Sequence, residues 1–388
     1  MKSNPILFLL GGMAALIVAM GIGRFAFTPI LPLMMDSHLF TAAGAGYLAS
    51  SNYLGYLVGA LGLTVIRPKN RTWLLIGGII VSVATTWGMG GFQSMEAWLL
   101  LRFLSGVASA IVFVVAASIV VEHVSEIQTG VFYGGVGLGI LLTGLMVPVL
   151  AEEGQWMGAW KGLGLVGLVL GLFSCYALLN RRQTSRNIQQ AFHGDSSAPV
   201  KRILICLAVA YGLEGLGYIV TGTYLAAYAK ESSDIANIAT SSWIWVGIAA
   251  APSCVAWSFL ATRWGKKWTL SLAMLLQSFG IAIPVIAPSA FALLLGAVLF
   301  GATFMGITTI TLSFAKDMYP KDSRKIIGLL TTFYGLGQMI GPSVAGLLIA
   351  VENSYDTALF GAASIVLLGA LVIPLGIGHS DQIKIKLT

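Results

Sequence analysis

Charge is scarce in this sequence. Of its 388 residues only 10% are Lys, Arg, Asp or Glu, whereas 57% are hydrophobic, and the mean hydropathy is +0.87. A soluble domain usually carries about a quarter charged residues. The composition therefore excludes a soluble globular protein and indicates an integral membrane protein. Apolar runs recur along nearly the whole chain, which leaves no room for a large soluble domain.

The residues that build metal centres and catalytic sites are also few. The three cysteines, Cys175, Cys206 and Cys254, lie in apolar runs without the spacing of metal ligands, so we interpret them as packing residues. The four histidines fall at the ends of apolar runs or between them. We therefore expect neither an enzyme nor a bound metal or other cofactor. The net charge of +7 comes mainly from short loops, so no nucleic-acid partner is expected.

What the sequence does contain is a series of twelve apolar segments, each long enough to cross a bilayer as a helix. The predicted helices cover residues 6–35, 40–66, 72–92, 95–121, 129–151, 157–180, 202–229, 239–261, 268–287, 289–315, 326–350 and 356–379. A polar stretch separates the first six from the last six. We predict an all-α integral membrane fold with an N-terminal half (1–180), a cytoplasmic linker (181–201) and a C-terminal half (202–388).

The basic residues are distributed unequally between alternate loops. Eighteen of the 22 Lys and Arg residues fall on one predicted side, and two, Lys161 and Lys230, fall on the other. Loops rich in Lys and Arg stay in the cytoplasm, so both termini and the linker are expected there. We therefore expect a monomeric, multi-pass protein in the lipid bilayer of the cytoplasmic (inner) membrane. The remaining two basic residues, Arg24 and Arg102, lie inside predicted helices.

The two halves resemble each other in sequence. Gly21-Ile22-Gly23 corresponds to Gly215-Leu216-Gly217, and Phe132-Tyr133-Gly134 corresponds to Phe333-Tyr334-Gly335. The offset is 194 residues for the first pair and 201 for the second. Two six-helix repeats that share a central cavity are the architecture of a class of secondary transporters, in which the halves rock about a midplane site.

Over its whole length the chain resembles the major facilitator superfamily, and the run Gly-Ile-Gly-Arg-Phe-Ala-Phe-Thr-Pro at 21–29 is similar to the start of its YbfB/YjiJ-type subgroup. The stretch 261–267 is similar to the cytoplasmic loop signature of the superfamily, although Thr262 stands where that signature has an acid. The resemblance implies a cytoplasmic gate formed by Arg263, Gly265, Lys266 and Lys267.

Two further patterns bear on coupling. Arg102, followed four residues later by Gly106, matches a superfamily pattern associated with proton coupling. The fifth helix lacks the Gly-Pro pair of the antiporter signature, which favours uptake by symport.

Three charged residues lie well inside the predicted helices, namely Arg24, Arg102 and Glu214. Charges at this depth face a protein interior or a watery cavity. We predict that Glu214 carries a proton, pairs with Arg24 or Arg102 when ionised, and releases the arginine to a substrate when protonated. The alternatives are a permanent Arg–Glu bridge between helices, a packing role for Arg24, and a role for Arg102 in satisfying backbone carbonyls or bracing helix ends.

Polar side chains at helical spacing extend these sites along helix faces. Because buried hydroxyls and amides need partners, a position facing the cavity is expected for them, with simple packing as the alternative for each tyrosine. The predicted substrate-binding residues are Arg24, Arg102, Asn52, Tyr56, Tyr218, Thr221, Tyr334 and Gln338.

Together these features predict a secondary transporter that moves a small organic solute, anionic or zwitterionic, by alternating access with proton coupling. A proton-coupled exporter of drugs or metabolites and a membrane sensor derived from a carrier remain as alternatives.

Overall fold

The computed structural model describes residues 5–65, 70–151, 155–179, 198–231, 236–318 and 323–376, and these ranges contain helices and turns without a strand. We number the long helices in chain order. They are α1 (Pro5–Asp36), α2 (Ala42–Val65), α3 (Arg71–Met89), α4 (Met95–Val121), α5 (Glu126–Leu150), α6 (Trp156–Leu179), α7 (Ala198–Glu231), α8 (Ala239–Trp264), α9 (Lys266–Ile286), α10 (Ala290–Met318), α11 (Ser323–Glu352) and α12 (Asp356–Gly376).

The predicted fold is confirmed: each predicted helix has its counterpart, and the helices form two sets of six. Eleven are long and apolar enough to span a membrane, with mean hydropathies of 1.4 to 2.5. The remaining one, α2, contains Ser50, Ser51 and Asn52, which lower its hydropathy. The predicted linker lies outside the described residues except at its end, where α7 already begins at Ala198.

Several helix ends are set by local side chains. Asn70 accepts hydrogen bonds from the backbone N–H groups that begin α3, and Ser94 does the same for α4. Ser125 and Gln128 form a capping box at the start of α5. Gly265, with φ of 81°, joins α8 to α9 in a backbone conformation that other residues rarely adopt.

Helix α1 is not a regular α-helix. Its middle third, Ile17–Phe25, is a π-helix between the α-helical segments Pro5–Leu16 and Phe27–Asp36. Pro29 has no N–H to donate to the carbonyl of Phe25, which disfavours regular α-helical pairing at this point. A π-helical stretch in an otherwise α-helical element frequently marks a functional site.

Close backbone approach at glycines holds the bundle together. A side chain at Gly106 of α4 would collide with the carbonyl oxygen of Asn52 in α2. The same arrangement recurs in the second half, where Gly301 of α10 lies against the carbonyl oxygen of Val246 in α8. Small residues allow membrane helices to pack this closely. The repeat predicted from the sequence therefore extends to the helix crossings.

Equivalent positions also form equivalent ion pairs. Arg71 at the start of α3 lies 3.0 Å from Glu122 at the end of α4. Lys266 and Asp317, each 195 residues further along, form the matching pair between α9 and α10 at 2.5 Å.

At the α4 crossing, Gly106→Ala is expected to lower stability by about 1–3 kcal/mol, because the added methyl overpacks the contact with α2. Gly77→Ala in α3 is the matched control, since no atom lies within 4 Å of the place that the added methyl would take. Thermal unfolding of the purified protein, followed by tryptophan fluorescence, measures both. Equal unfolding temperatures for the two variants would contradict the close crossing.

Candidate functional site

Arg24 occupies the π-helical part of α1 and is only 3% exposed. The carbon Cζ of its guanidinium lies over the rings of Tyr56 and Tyr53 from α2, at 4.2 and 4.7 Å from their centroids. Nη2 donates a hydrogen bond of 2.6 Å to Oε1 of Gln338 in α11, whereas Nε has no partner. The cation is thus held by π faces and a neutral amide, without a carboxylate to balance its charge.

Gln338 links the two halves of the protein. Its amide oxygen accepts from Arg24, and its amide nitrogen donates to the hydroxyl of Tyr218 in α7. Both Gln338 and Tyr218 are almost completely buried. The chain of contacts therefore runs from α1 through α11 to α7.

Tyr218 belongs to a column of nearly parallel aromatic rings from α7, α10 and α11. Its ring lies 5.6 Å from that of Tyr334, at an interplanar angle of 8°, and 5.9 Å from that of Phe304, at 6°. Tyr334 stacks in turn on Tyr211 at 4.2 Å and 13°. Phe300 stacks on both Tyr218 and Phe304, at interplanar angles of 21° and 15°. We call Tyr211, Tyr334, Tyr218, Phe304 and Phe300 the aromatic column.

Arg102 is directed at backbone carbonyls. Its Nε, Nη1 and Nη2 donate to the carbonyl oxygens of Leu48, Gly23 and Arg24 at 3.4, 3.3 and 3.5 Å. One helical turn further along α4, Ser105 also donates to Gly23, at 2.8 Å. Arg102 thus satisfies carbonyls of the π-helical segment and its neighbour α2, which agrees with the bracing alternative.

Asn52 and Thr221 lie beside the cluster. The Asn52 amide donates to the carbonyl oxygen of Arg102 at 2.9 Å, between α2 and α4. Thr221 is buried one turn after Tyr218, and its hydroxyl has no partner. Of the predicted substrate-binding residues, the structure brings together Arg24, Tyr56, Tyr218, Tyr334 and Gln338.

Glu214 is completely buried in α7, and neither of its carboxyl oxygens has a hydrogen-bond partner. It forms no ion pair with Arg24 or Arg102, so the permanent bridge considered from the sequence is not present in this structure. Its polar neighbour is Gln277 of α9, which is equally buried. An ionised carboxylate beside a neutral amide and without a cation is costly in such a buried place, and the protonated acid is the form that this arrangement accommodates.

Residues 16–374 match the family described as "Uncharacterised MFS-type transporter YbfB". The chain belongs to this family of major facilitator superfamily transporters. The resemblance found in the sequence is confirmed, and so is the expectation that the protein is not an enzyme. It is a multi-pass integral membrane protein that transports a solute across a membrane.

Relatives and solved structures agree with this membership. The YcaD protein of Escherichia coli O139:H28, described as an uncharacterised MFS-type transporter, is 25% identical over 400 residues that cover 98% of each chain. Among solved structures, a mutant of the nucleoside transporter NupG has a TM-score of 0.75, with 16% identity over 95% of this chain and 98% of its own. An inward-facing, unoccupied bacterial homologue of the human lysosomal transporter Spinster has a TM-score of 0.73, with 12% identity over 99% of both chains. These structures show the fold.

The predicted gate residues of the transporter contact their own half in this structure. Lys266 binds Ser313 and Asp317 of α10, and the guanidinium of Arg263 lies 4.4 Å from the Phe259 ring centroid in α8. Lys267 is buried, with its ammonium 4.8 Å from the centroid of Trp268. The gate therefore stays a prediction.

The face of the transporter where α1 ends and α2 begins is closed by contacts between the halves. Asp36 at the end of α1 pairs with Lys230 at the end of α7, and the Thr28 hydroxyl donates to the carbonyl oxygen of Gly222. The Tyr224 hydroxyl lies within hydrogen-bond distance of carbonyl oxygens from α2 and α11. A cavity of about 520 Å³ lies next to these contacts, and Asp36 and Lys230 are among its lining residues.

Sequence reasoning missed Tyr53 and the two phenylalanines of the aromatic column. The spacing of three residues between Tyr53 and Tyr56 was a usable signal, because it places both rings on one face of α2. Phe300 and Phe304 have the same relation at a spacing of four. In chains this rich in aromatic residues, such spacing alone does not separate a site from ordinary packing.

Arg102→Met is expected to destabilise the protein by about 2–4 kcal/mol, because it leaves buried carbonyl oxygens without donors. Arg71→Gln, which breaks a half-exposed ion pair, is the control and should cost at most about 1 kcal/mol. The unfolding temperatures of both variants in the same detergent provide the comparison. An unchanged value for Arg102→Met would argue against bracing.

Proposed function

We propose that this transporter is a monomeric, proton-coupled carrier of a small organic anion or zwitterion in the cytoplasmic membrane, and that it works by alternating access. The observation that carries the proposal is Arg24, a buried cation between the two halves that has no counter-ion among the described residues.

The surroundings of Arg24 favour an exchangeable anion over a structural partner. A buried charge without an opposite charge is costly, and the faces of Tyr53 and Tyr56 compensate only part of this cost. Gln338 supplies one neutral acceptor, and Nε remains free to donate. A solute carboxylate would provide the missing charge and two acceptor oxygens, since carboxylates accept two parallel bonds from a guanidinium.

The proton is assigned to Glu214. This residue lies one helical turn before Tyr218 on α7, and Tyr218 in turn contacts Gln338. Proton binding and substrate binding therefore act on the same helix at adjacent turns. We infer that coupling passes through movement of α7, because Glu214 and Arg24 are not paired directly.

Alternating access requires that the contacts between the halves can open. The side chains of Asp36 and Lys230 are 60% and 37% exposed. An ion pair in such a solvated position contributes roughly 0–1 kcal/mol. Its separation is therefore not a large barrier to opening this face, which the distribution of basic residues assigns to the outside.

The proposed function can be tested with the full-length protein in proteoliposomes. Metabolites and drugs are first screened for compounds that raise the unfolding temperature, because a ligand of the folded state increases its apparent stability. Uptake of each such compound is then measured with and without an inward proton gradient. Gradient-driven accumulation supports the proposal, gradient-driven extrusion would indicate the exporter, and binding without flux would indicate a sensor.

Glu214→Gln is expected to abolish accumulation driven by the proton gradient while substrate exchange across the membrane continues, because the amide cannot carry the proton. Glu122→Gln is the control: this acid lies at the end of α4 in a half-exposed pair, and its loss should leave accumulation intact. Full accumulation by Glu214→Gln would remove Glu214 from the mechanism.

A further inference from the structure

We propose that the solute is a planar aromatic monocarboxylate, whose acid group binds Arg24 and whose ring packs against the aromatic column. This inference rests on the proposed carrier function and specifies its substrate class. The supporting observation is that the Arg24 guanidinium, which has no counter-ion among the described residues, lies close to a set of nearly parallel rings where the two halves meet.

The charge of the solute follows from the two buried arginines. Each nitrogen of the Arg102 guanidinium donates to a backbone carbonyl, so this side chain is already held by the backbone. Of the two arginines, Arg24 is the one with a guanidinium nitrogen, Nε, that has no hydrogen-bond partner. One available guanidinium matches one carboxylate, and a dianion would bring a second charge without a partner.

The absence of an acid beside Arg24 argues against an amino acid. An α-ammonium group would lie close to its own carboxylate, and therefore close to the guanidinium that binds it. Glu214 is not in contact with Arg24, and no other carboxylate pairs with it in the described part of the chain. The surroundings thus fit an anion better than a zwitterion.

The ring follows from the geometry of the column. The rings of Tyr334 and Phe304 lie at interplanar angles of 8° and 6° to that of Tyr218, so the three rings are nearly parallel. Phe25, the neighbour of Arg24, meets Phe304 edge to face at 6.0 Å, so the aromatic surface continues up to the guanidinium. Parallel rings favour stacking of a further planar ring, which a saturated ring of equal size cannot reproduce.

Gln338 connects the two parts of this site. Its Oε1 provides Arg24 with the acceptor that a substrate carboxylate would offer, and its Nε2 holds the hydroxyl of Tyr218. Displacement of this amide by a carboxylate would release Tyr218, the central ring of the column. Binding of the carboxylate to Arg24 and movement of the Tyr218 ring would then occur together.

The first experiment compares four probes by titration calorimetry and thermal shift on the purified full-length protein: 4-hydroxybenzoate, cyclohexanecarboxylate, 4-hydroxybenzamide and L-phenylalanine. We expect 4-hydroxybenzoate to bind about tenfold more tightly than cyclohexanecarboxylate, which cannot stack. The uncharged amide and the zwitterion should bind more weakly still. Equal affinity for the saturated acid, or tighter binding of the amide or of L-phenylalanine, would overturn the assignment.

Two substitutions at position 338 distinguish the effect of an added negative charge on ligand affinity from the effect of losing the amide. Gln338→Glu places a carboxylate beside Arg24 and should lower affinity for 4-hydroxybenzoate by at least about thirtyfold, because the cation is then neutralised from within. Gln338→Leu removes the same amide without adding charge and should weaken binding less than Gln338→Glu does. A folded Gln338→Glu variant that binds as tightly as wild type would contradict a site at Arg24.

Tyr218→Leu tests the contribution of the rings. It should reduce the preference for 4-hydroxybenzoate over cyclohexanecarboxylate from about tenfold towards one, an effect that a loss of stability alone does not produce. An unchanged preference would overturn the role of the column. If no aromatic acid binds while another solute accumulates with the proton gradient, the substrate class is wrong and the carrier function stands.

Discussion

The structure depends on one constraint of the bilayer, which is that backbone polar groups inside it must find partners within the protein. The π-helical segment of α1 exposes carbonyl oxygens to α4. Three side chains on one face of α4 donate hydrogen bonds to them. Arg102 and Ser105 reach Gly23 and Arg24, and Ser109 donates to Ala19 at 2.6 Å. Because the backbone of Arg24 is fixed from this side, its side chain is held towards α2 and α11. One buried arginine thus positions the other.

The two halves share a framework but differ in the chemistry placed on it. The glycine crossings and the paired ends of neighbouring helices repeat with an offset of 194 or 195 residues. At the corresponding positions, however, Arg102 is matched by Ala297, and α7 has a regular α-helix where α1 has its π-helical segment. A regular α-helix pairs its own carbonyl oxygens, so α7 does not need a bracing arginine. The second half contributes the buried acid and most of the rings instead, so the proposed site requires both halves.

The sequence predicted the helices, their arrangement in two repeats and the buried polar residues. This was possible because a polar or charged residue inside a membrane carries a large free-energy cost. The role of Arg102 could not be decided from the sequence. A guanidinium in an apolar run gives the same sequence pattern whether it binds backbone carbonyls or a substrate. The function of Arg102 depends on the π-helical segment, for which periodicity gives no sign. The contact between Arg24 and Gln338 joins residues 314 positions apart, and only the packing of the halves determines it. An arginine partner was predicted for ionised Glu214, and this stays a prediction; in the structure the carboxyl group lies beside Gln277.

The pair formed by Asp36 and Lys230 shows what a repeat within one chain allows and a symmetric dimer does not. The two residues are 194 positions apart, as are Thr28 and Gly222, so residues at equivalent places in the repeat meet each other near the pseudo-twofold axis. In a dimer of identical six-helix chains, symmetry would bring each such residue against its own copy. Asp would then face Asp, or Lys would face Lys, and the contact would repel. In this single chain the two equivalent positions carry different residues, so the same contact is attractive.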